Sequence, residues 1–344
     1  MMQLNQAESP WRLCVAPMME WTDRHCRYFH RLLSPRARLY TEMATTGALL
    51  HGDVARHLDF STEEHPLALQ LGGSEPTELA SCARLAQRWG YDEVNLNCGC
   101  PSPRVQRGAF GACLMAEPRL VRDCVSAMRD AVTLSVTVKH RIGIDRVEDY
   151  GFVRDFVGTV GEGGCAVFIV HARNAWLDGL SPKRNREVPP LRHDTVARLK
   201  QEFPQWTFVL NGGLVERSQL ARELTRVDGV MLGRAAYHDP WRLIEWQDCA
   251  FAGAARSAST RDAVEHEMVH YMQRRASSDG TPWPAIARHM IGLRLGQPGA
   301  RRWRQVWSDH RLRELPPAEV MRRAHRAMAA EAPARAPLAA GVAG

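Results

Sequence analysis

The sequence contains no run of eighteen apolar residues, which excludes an ordinary transmembrane helix. Its first residues, MMQLNQAESP, lack the basic segment and the apolar segment of a secretory signal peptide. The nine cysteines show no regular spacing that would suggest a disulfide framework. We therefore expect a cytoplasmic protein with no membrane partner, in which most cysteines are reduced and buried.

Two common nucleotide-binding signatures are also absent. No G-x-G-x-x-G follows the first predicted strand, and G-x-x-x-x-G-K-[ST] does not occur at all. A doubly wound α/β sheet, the alternative among folds that alternate strands and helices, therefore lacks its own signature. The pair Cys98 and Cys100 has no second pair of ligands at zinc spacing, so no metal site is predicted.

Positive charge is present but unevenly distributed. Ten arginines and only three acidic residues lie between Pro284 and Met328, a surplus equal to the formal net charge of +7 for the whole chain. The rest of the chain is therefore about neutral. A basic segment on a neutral body favours a polyanionic partner such as a nucleic acid, and the alternative is a solvated helix face rich in arginine.

Eight short runs of β-branched or alternating apolar residues predict strands, at residues 12–16, 37–42, 67–71, 93–97, 134–139, 167–171, 206–211 and 229–233. Helical periodicity fills five of the gaps between them, at residues 76–90, 118–131, 147–161, 194–203 and 216–224. The first two gaps show no clear pattern. Strands that alternate with helices indicate a parallel sheet, and eight such units predict an α/β fold, a (β/α)8 TIM barrel within residues 1–250.

The strand pattern stops after Pro240, and a small polar segment at 252–260 predicts a linker. Helical patterns follow at residues 261–276, 283–295, 301–309 and 317–330, which predict a small all-α domain over 260–330. Its tryptophans at 283, 303 and 307 are interpreted as packing residues. Residues 331–344 are rich in Ala, Pro and Gly and are predicted to be a disordered tail.

The chemistry of such a barrel lies at the carboxyl ends of its strands. Six of the eight predicted strands end in polar residue types, whereas the same strands hold few such residues further back. The last two ends, Asn211-Gly212-Gly213 and Gly233-Arg234, combine glycine backbone with a guanidinium. Because glycine lets backbone N–H groups approach an anion and a guanidinium binds phosphate through two bonds, these ends predict a phosphorylated ligand.

One strand end carries a thiol. Cys100 follows the predicted strand 93–97, and its neighbours Gly99 and Pro101 fix a turn there. A thiol is mostly protonated at neutral pH yet acidic enough to release its proton. We therefore interpret Cys100 as a proton-donating catalytic thiol, the alternative for any cysteine being a small buried hydrophobe. That second interpretation is applied to six others: Cys14, Cys82, Cys113, Cys124, Cys165 and Cys249.

Seven motifs at these strand ends occur in one order along the chain. They are Ala16-Pro17-Met18, Leu39-Tyr40-Thr41-Glu42-Met43, Gln70-Leu71-Gly72-Gly73, Asn97-Cys98-Gly99-Cys100-Pro101-Ser102, Lys139-His140-Arg141-Ile142-Gly143, Phe168-Ile169-Val170-His171-Ala172-Arg173 and Asn211-Gly212-Gly213. This set resembles the tRNA-dihydrouridine synthases, from about residue 13 to about residue 303. The stretches beginning at Trp21, Phe110 and Gly179 resemble its A subfamily.

The resemblance implies an FMN-binding barrel, NADPH as reductant, and uridines 20 and 20a of the tRNA D-loop as targets. It implies that Cys100 gives a proton to C5 of uracil, while the reduced flavin gives a hydride to C6. The implied flavin contacts are Gln70 at the ring edge, Lys139 and His171 at its negative charge, and Pro17, Met18 and Met19 against the ring. Asn211, Gly212, Gly213, Gly233 and Arg234 would hold the FMN phosphate.

The implied tRNA contacts lie in both domains. Asn97 would orient the uracil, Lys183 and Arg186 lie in a basic loop after the sixth strand, and Gly299 and Arg302 open a helix of the second domain. His140, Arg141 and Arg173 receive no individual role.

Cys98 departs from the family, which usually has a small or apolar residue there, and is expected to pack in the core.

Two other functions remain open. An FMN barrel that acts on a small molecule, such as a dihydropyrimidine or dihydroorotate oxidoreductase, explains the thiol and the strand ends but not the arginine-rich segment. A non-catalytic RNA-binding protein with this fold explains the charge but not the strand ends. The sequence does not indicate which uridine is reduced first or whether NADPH is preferred to NADH, and a monomer is expected.

Overall fold

The structure is a computed structural model that describes residues 9–147, 149–251 and 259–330. The chain divides into two compact units between Ser257 and Ala258. Most of the predicted linker and all of the predicted tail lie outside the described residues. Within the described residues, no helix is both long and apolar enough to cross a membrane.

The first unit is a closed barrel of eight parallel strands in sequence order, so the (β/α)8 prediction is confirmed. The first strand pairs with the last, with Leu13 opposite Val230. The strands are β1 Leu13–Val15, β2 Arg38–Thr45, β3 Leu67–Gly72, β4 Glu93–Cys98, β5 Ser135–Arg141, β6 Val167–His171, β7 Thr207–Asn211 and β8 Gly229–Leu232.

Eleven α-helices surround these strands or follow the last of them, within the described residues. They are α1 Arg24–Leu33, α2 Thr46–His51, α3 Val54–Leu58, α4 Pro76–Trp89, α5 Pro103–Arg107, α6 Pro118–Ala131, α7 Tyr150–Glu162, α8 His193–Glu202, α9 Arg217–Glu223, α10 Arg234–His238 and α11 Arg242–Ala250. The clearest sequence signals belong to α4, which has proline at its first position and ends at Gly90 with a φ of 89°. The first two gaps, which had no clear pattern, hold α1, α2 and α3.

The barrel interior is closed at its amino-terminal end by a buried carboxylate. Glu93 accepts hydrogen bonds from Thr137 Oγ1 at 2.5 Å, Tyr40 Oη at 2.8 Å and Trp11 Nε1 at 2.7 Å. The guanidinium of Arg38 lies 3.1 Å from the same carboxylate. A buried charge is tolerated only where its partners are complete, and here four side chains from β2, β5 and the segment before β1 supply them.

The second unit contains α12 Arg261–Asp279, α13 Trp283–Ala287, α14 Ala300–Trp307 and α15 Pro317–Ala329. The predicted helix at 283–295 is wrong beyond Ala287. After it the backbone forms successive turns, in which Met290 N donates to the oxygen of Ala287 and Leu293 N to that of Met290. The glycines at 292, 296 and 299 and the proline at 298 disfavour a continued helix there.

The core of the second unit is organised around a second buried carboxylate, Glu265. Its Oε1 accepts the indole N–H groups of Trp303 at 2.7 Å and Trp307 at 2.9 Å, and its Oε2 accepts from Arg294 at 2.6 Å and contacts His325 at 2.9 Å. Burial, which alone raises the pKa of Glu265, is outweighed by the hydrogen bonds from His325 and Arg294, so its pKa is lowered. The tryptophans are packing residues, as predicted.

We expect Glu265→Ala to destabilise the second unit by roughly 3–5 kcal/mol, because Arg294 keeps its buried charge and two indole N–H groups lose their acceptor. Amide hydrogen exchange of α12 peptides, measured in the full-length chain, reports this loss directly. Glu267→Ala is the matched control, since this carboxylate lies on the same helix but is 43% exposed. Equal exchange rates in the two variants would contradict the assigned role.

Candidate active site

The turn that carries Cys100 is held by the side chain of Asn97, the residue that precedes it on β4. The side-chain Oδ1 of Asn97 accepts the backbone N–H groups of Gly99 and Cys100, both at 3.0 Å. From the other side, the backbone N–H of Ala112 donates to the carbonyl oxygen of Cys100 at 3.0 Å. The half-buried thiol therefore stands on a backbone that is fixed at both of its polar groups.

Asn97 is in turn fixed by a chain of buried amides. Its Nδ2 donates to Gln70 Oε1 at 2.9 Å, Gln70 Nε2 donates to Asn95 Oδ1 at 2.8 Å, and Asn95 Nδ2 donates to Thr137 Oγ1 at 2.8 Å. Thr137 also binds Glu93, so the chain of hydrogen bonds runs through the barrel from its closed end to the Cys100 turn. This arrangement sets the orientation of both Asn97 and Gln70.

The second support of the turn requires a glycine. Gly111 has a φ of 81°, in the left-handed region, and an added Cβ would lie 2.6 Å from the carbonyl oxygen of Cys100 and 2.4 Å from Cγ1 of Val105. Any other residue at 111 would push this segment away from the turn.

The neighbouring cysteine has a different environment. Cys98 alternates to the outer face of β4 and is fully buried, as expected, and burial raises the pKa of its thiol well above the usual value. Four other cysteines are buried as predicted: Cys14, Cys82, Cys124 and Cys165. Cys113 and Cys249 are only half-buried, so the interpretation as fully buried residues is wrong for these two.

Basic side chains gather beside Cys100. Lys139 Nζ donates to Asn211 Oδ1 at 3.2 Å, and burial, with a contribution from Arg141, lowers the pKa of Lys139 to about 7. Burial and the charges of Arg141 and Lys139 lower the pKa of His171 well below its usual value. His171 is therefore a neutral imidazole at neutral pH, and it would contribute a hydrogen bond rather than a charge to an anionic ligand.

Arg141 joins the Cys100 turn to the loop that follows β6. Its Nε donates to the carbonyl oxygen of Gly99 at 3.1 Å, and its Nη1 donates to the carbonyl oxygens of Asn185 at 3.1 Å and Asn174 at 3.3 Å. Burial lowers its pKa to about 9. No individual role was predicted for Arg141, although its position two residues after Lys139 places it on the same face of β5.

The turn after β7 has the geometry that only glycine permits. Gly212 has a φ of 107° and Gly213 a φ of 69°. A Cβ on Gly212 would lie 2.5 Å from Cδ2 of His171. His193 donates from Nε2 to the carbonyl oxygen of Gly212 at 2.8 Å. His193 was missed by the sequence analysis, because it begins a helix rather than following a strand.

The end of β8 leaves room for a ligand. An added Cβ on Gly233 would meet no described atom closer than 3.9 Å, where it reaches Ala16 and Met18. The next residue, Arg234, forms an ion pair with Glu187 at 2.6 Å. Partial burial of the guanidinium groups, followed by the charge of Arg234, lowers the pKa of both Arg173 and Arg186.

The loop after β1 is held by hydrogen bonds between its own residues. Met18 N donates to Thr22 Oγ1 at 2.9 Å, and Met18 O accepts the N–H groups of Trp21 and Thr22. Met19, which follows Pro17 and Met18, is exposed. The structure therefore places Pro17, Met18 and Met19 on the same end of the barrel as Gly233.

A family model described as dihydrouridine synthase (Dus) matches residues 14–328. The chain belongs to the dihydrouridine synthase family. A tRNA-dihydrouridine(20/20a) synthase of Pseudomonas syringae pv. tomato is 58% identical over 86% of this chain and 88% of its own length. The proteins of that name from Vibrio cholerae and Xanthomonas campestris pv. campestris are 53% and 55% identical, each over 87% of this chain and over 91% and 88% of their own lengths.

Membership of the dihydrouridine synthase family confirms the predicted family and the prediction of an oxidoreductase. It argues against the non-catalytic RNA-binding alternative. The structure brings Gln70, Asn97, Cys100, Lys139 and His171 to one end of the barrel. The two turns that begin at Asn211 and Gly233 lie at the same end.

The residues expected to contact tRNA lie in both units of this family member. Lys183 and Arg186 are exposed on a short turn after β6. In the second unit, Gly299 precedes α14 with a φ of 74°, and Arg302 lies in the first turn of that helix. A Cβ on Gly299 would lie 2.4 Å from the carbonyl oxygen of Met328, so the glycine also permits close packing against α15.

We expect Arg141→Lys to reduce dihydrouridine formation in tRNA by about 10- to 100-fold, because one ammonium cannot reach three carbonyl oxygens and the Cys100 turn shifts. Product is quantified by mass spectrometry after nuclease digestion. Arg173→Lys is the control, since Arg173 donates to Glu187 and Pro189 within the β6 loop and not to the Cys100 turn. Wild-type rates in Arg141→Lys would refute the positioning role.

Proposed function

We propose that this protein reduces the C5=C6 bond of uridines 20 and 20a in the D-loop of tRNA to 5,6-dihydrouridine, with FMN as cofactor and NADPH as reductant. The observation that carries this proposal is the Cys100 thiol on a turn held by Asn97 and Arg141, beside Lys139 at the open end of the barrel. The names of the relatives, at 51–58% identity, support the choice of tRNA and of these two positions.

The residues present fit FMN. Arg234, which forms an ion pair with Glu187, supplies a guanidinium that favours an anion. We assign the phosphate to Asn211, Gly212, Gly213, Gly233 and Arg234, because glycine backbone N–H groups can approach an anion and Gly233 has open space where a side chain would lie.

The ring system of the flavin would lie against Pro17, Met18 and Met19. We assign hydrogen bonds at its edge to Gln70, whose amide orientation is fixed, and to neutral His171. Lys139 has a pKa of about 7 and is therefore easily protonated beside an anion. When bound and reduced, the flavin supplies the hydride that adds to C6 of uracil.

We assign to Cys100 the donation of the proton that completes the reduction at C5 of uracil. Its thiol is half-buried and stands on a fixed turn, so it can reach a base while water is partly excluded. We propose that Asn97, at the base of the same turn, orients the uracil. Its side chain already fixes the backbone of Cys100, so base and thiol would be positioned by one residue.

The target base must leave its stack in folded tRNA to reach this thiol. We assign phosphate contacts to Lys183 and Arg186 in the barrel unit and to Gly299 and Arg302 in the helical unit. In this proposal residues 1–250 form the FMN-binding catalytic domain and residues 260–330 help to hold tRNA. The protein would act as a monomer in the cytoplasm.

The first test is incubation of the purified protein with unmodified tRNA and NADPH, followed by mapping of dihydrouridine by position. Product at 20 or 20a supports the proposal. Product at another position would support the proposed reaction but contradict its assignment to positions 20 and 20a. No product from a yellow protein that oxidises NADPH would favour a small-molecule flavoenzyme instead.

We expect Cys100→Ala to lower tRNA reduction at least about 100-fold, because the proton donor is lost, while NADPH still bleaches the flavin. The two half-reactions are followed separately by flavin absorbance. Cys113→Ala is the matched control: its half-buried thiol lies in the same loop and donates to the carbonyl oxygen of Phe110 at 3.1 Å. Equal tRNA reduction by both variants would exclude Cys100 as the donor.

We expect alanine at Lys183, Arg186 or Arg302 to raise the KM for tRNA and to reduce the salt dependence of binding by about one ion each, while flavin reduction by NADPH is unchanged. Binding is measured between low and physiological salt. Arg84→Ala, an exposed residue of α4, serves as the control for loss of one surface charge. If all four variants behave alike, the assigned RNA contacts are wrong.

A further inference from the structure

A cavity of about 430 Å³ lies between the loop after β5 and the loop after β6. Its lining comprises Arg146, Asn174, Trp176, Pro190 and Arg192. None of the residues proposed to bind FMN or to contact the tRNA belongs to this lining. Two of the five lining residues are cationic, one is a large aromatic, and none is acidic.

The aromatic wall of this cavity is the indole of Trp176. The guanidinium of Arg146 lies 5.0 Å from the centre of the Trp176 ring. The backbone of Trp176 exchanges two hydrogen bonds with the buried side chain of Asn185, each 2.8 Å long. The backbone that carries the indole is therefore fixed, and the indole itself offers a flat aromatic face for stacking.

On the cationic wall, Arg192 is fixed by hydrogen bonds of its side chain and its backbone. Arg192 Nη2 donates to Asn174 Oδ1 at 2.6 Å, and Asn174 Nδ2 donates to the carbonyl oxygens of Val147 at 2.7 Å and Asp145 at 3.1 Å. The backbone N–H of Arg192 donates to Ala172, one residue beyond His171. A planar aromatic with two guanidinium groups is the chemistry that binds a nucleotide, through stacking on the base and ion pairing with its phosphate.

The cavity is linked to the Cys100 turn by a single side chain. Arg141 donates to the carbonyl oxygens of Asn174 and Asn185, which hold the cavity walls, and to that of Gly99 in the turn. A ligand in the cavity would therefore lie beside the place where the reacting base is expected.

We propose that this cavity binds a nucleotide that neighbours the target uridine in tRNA, with its base against Trp176 and a phosphate between Arg146 and Arg192. The proposal rests on the proposed function. When a base is turned out of its stack, its neighbours lose a stacking partner, and a protein that offers another one lowers the free-energy cost of extrusion.

Two observations favour RNA over the adenosine end of a nicotinamide cofactor. The loop that supplies Trp176 and Pro190 also carries Lys183 and Arg186 between them, so the basic surface continues beyond one nucleotide. Three exposed apolar side chains lie on the same two loops: Val147, Val188 and Leu191. Exposed apolar groups beside cations suit unstacked bases of a longer strand.

The test uses the holoenzyme and the variants Trp176→Ala, Trp176→Phe and Arg146→Ala, with Arg154→Ala as control because Arg154 is exposed on α7. We expect Trp176→Ala and Arg146→Ala to weaken equilibrium tRNA binding by about tenfold and to raise equally the tRNA concentration for half-maximal flavin reoxidation. Trp176→Phe should recover most of this loss, since a phenyl ring still stacks. Flavin reduction by NADPH should match wild type in every variant.

Other results would overturn the proposal in distinguishable ways. Slower flavin reduction by NADPH, together with normal tRNA binding, would indicate that the cavity binds NADPH and not a nucleotide of tRNA. Normal binding and normal rates in all variants, with an active wild type, would leave the proposed function intact and exclude a nucleotide here. A wild-type protein whose reduced flavin is not reoxidised by tRNA would refute the proposed function and this proposal with it.

Discussion

The geometry of the candidate site depends on the hydrogen-bonded chain of buried polar side chains inside the barrel. Each amide from Asn97 to Asn95 is both donor and acceptor, and the chain ends on the carboxylate of Glu93. Since an unsatisfied polar group inside a barrel is costly, each member restricts the rotamer of the next. The backbone N–H of Cys100 is thus positioned by contacts that begin at the opposite end of the barrel.

The second constraint is charge. The open end of the barrel gathers Lys139, Arg141, Arg186 and Arg234, and the mutual repulsion and burial of these groups are visible in the lowered pKa values of the first three. Such a site favours anions, whether a phosphate, a reduced flavin or RNA. The neutral state of His171 follows from the same cluster, because one more positive charge would be costly there.

Most of the fold was predictable because strand and helix periodicity and strand-end polarity are local signals. The residues at strand ends, from Gln70 to Arg234, could be recognised for the same reason. The roles of Arg141 and His193 could not, because each depends on carbonyl oxygens that lie far away in the sequence. The helix prediction beyond Ala287 was wrong for another reason. The apolar spacing of that segment is helical, but its glycines and Pro298 favour turns.

The pairing of Leu13 with Val230 has a consequence for how this protein folds. The barrel stays open until its last strand has been synthesised, so β1, which is only three residues long and pairs with β2 on one edge, waits for its second partner more than two hundred residues away. Long-range pairing of this kind is slow to form. The seam it closes brings Met18 and Gly233 together, so a ligand held across that seam would bind only the finished barrel and would favour its closure.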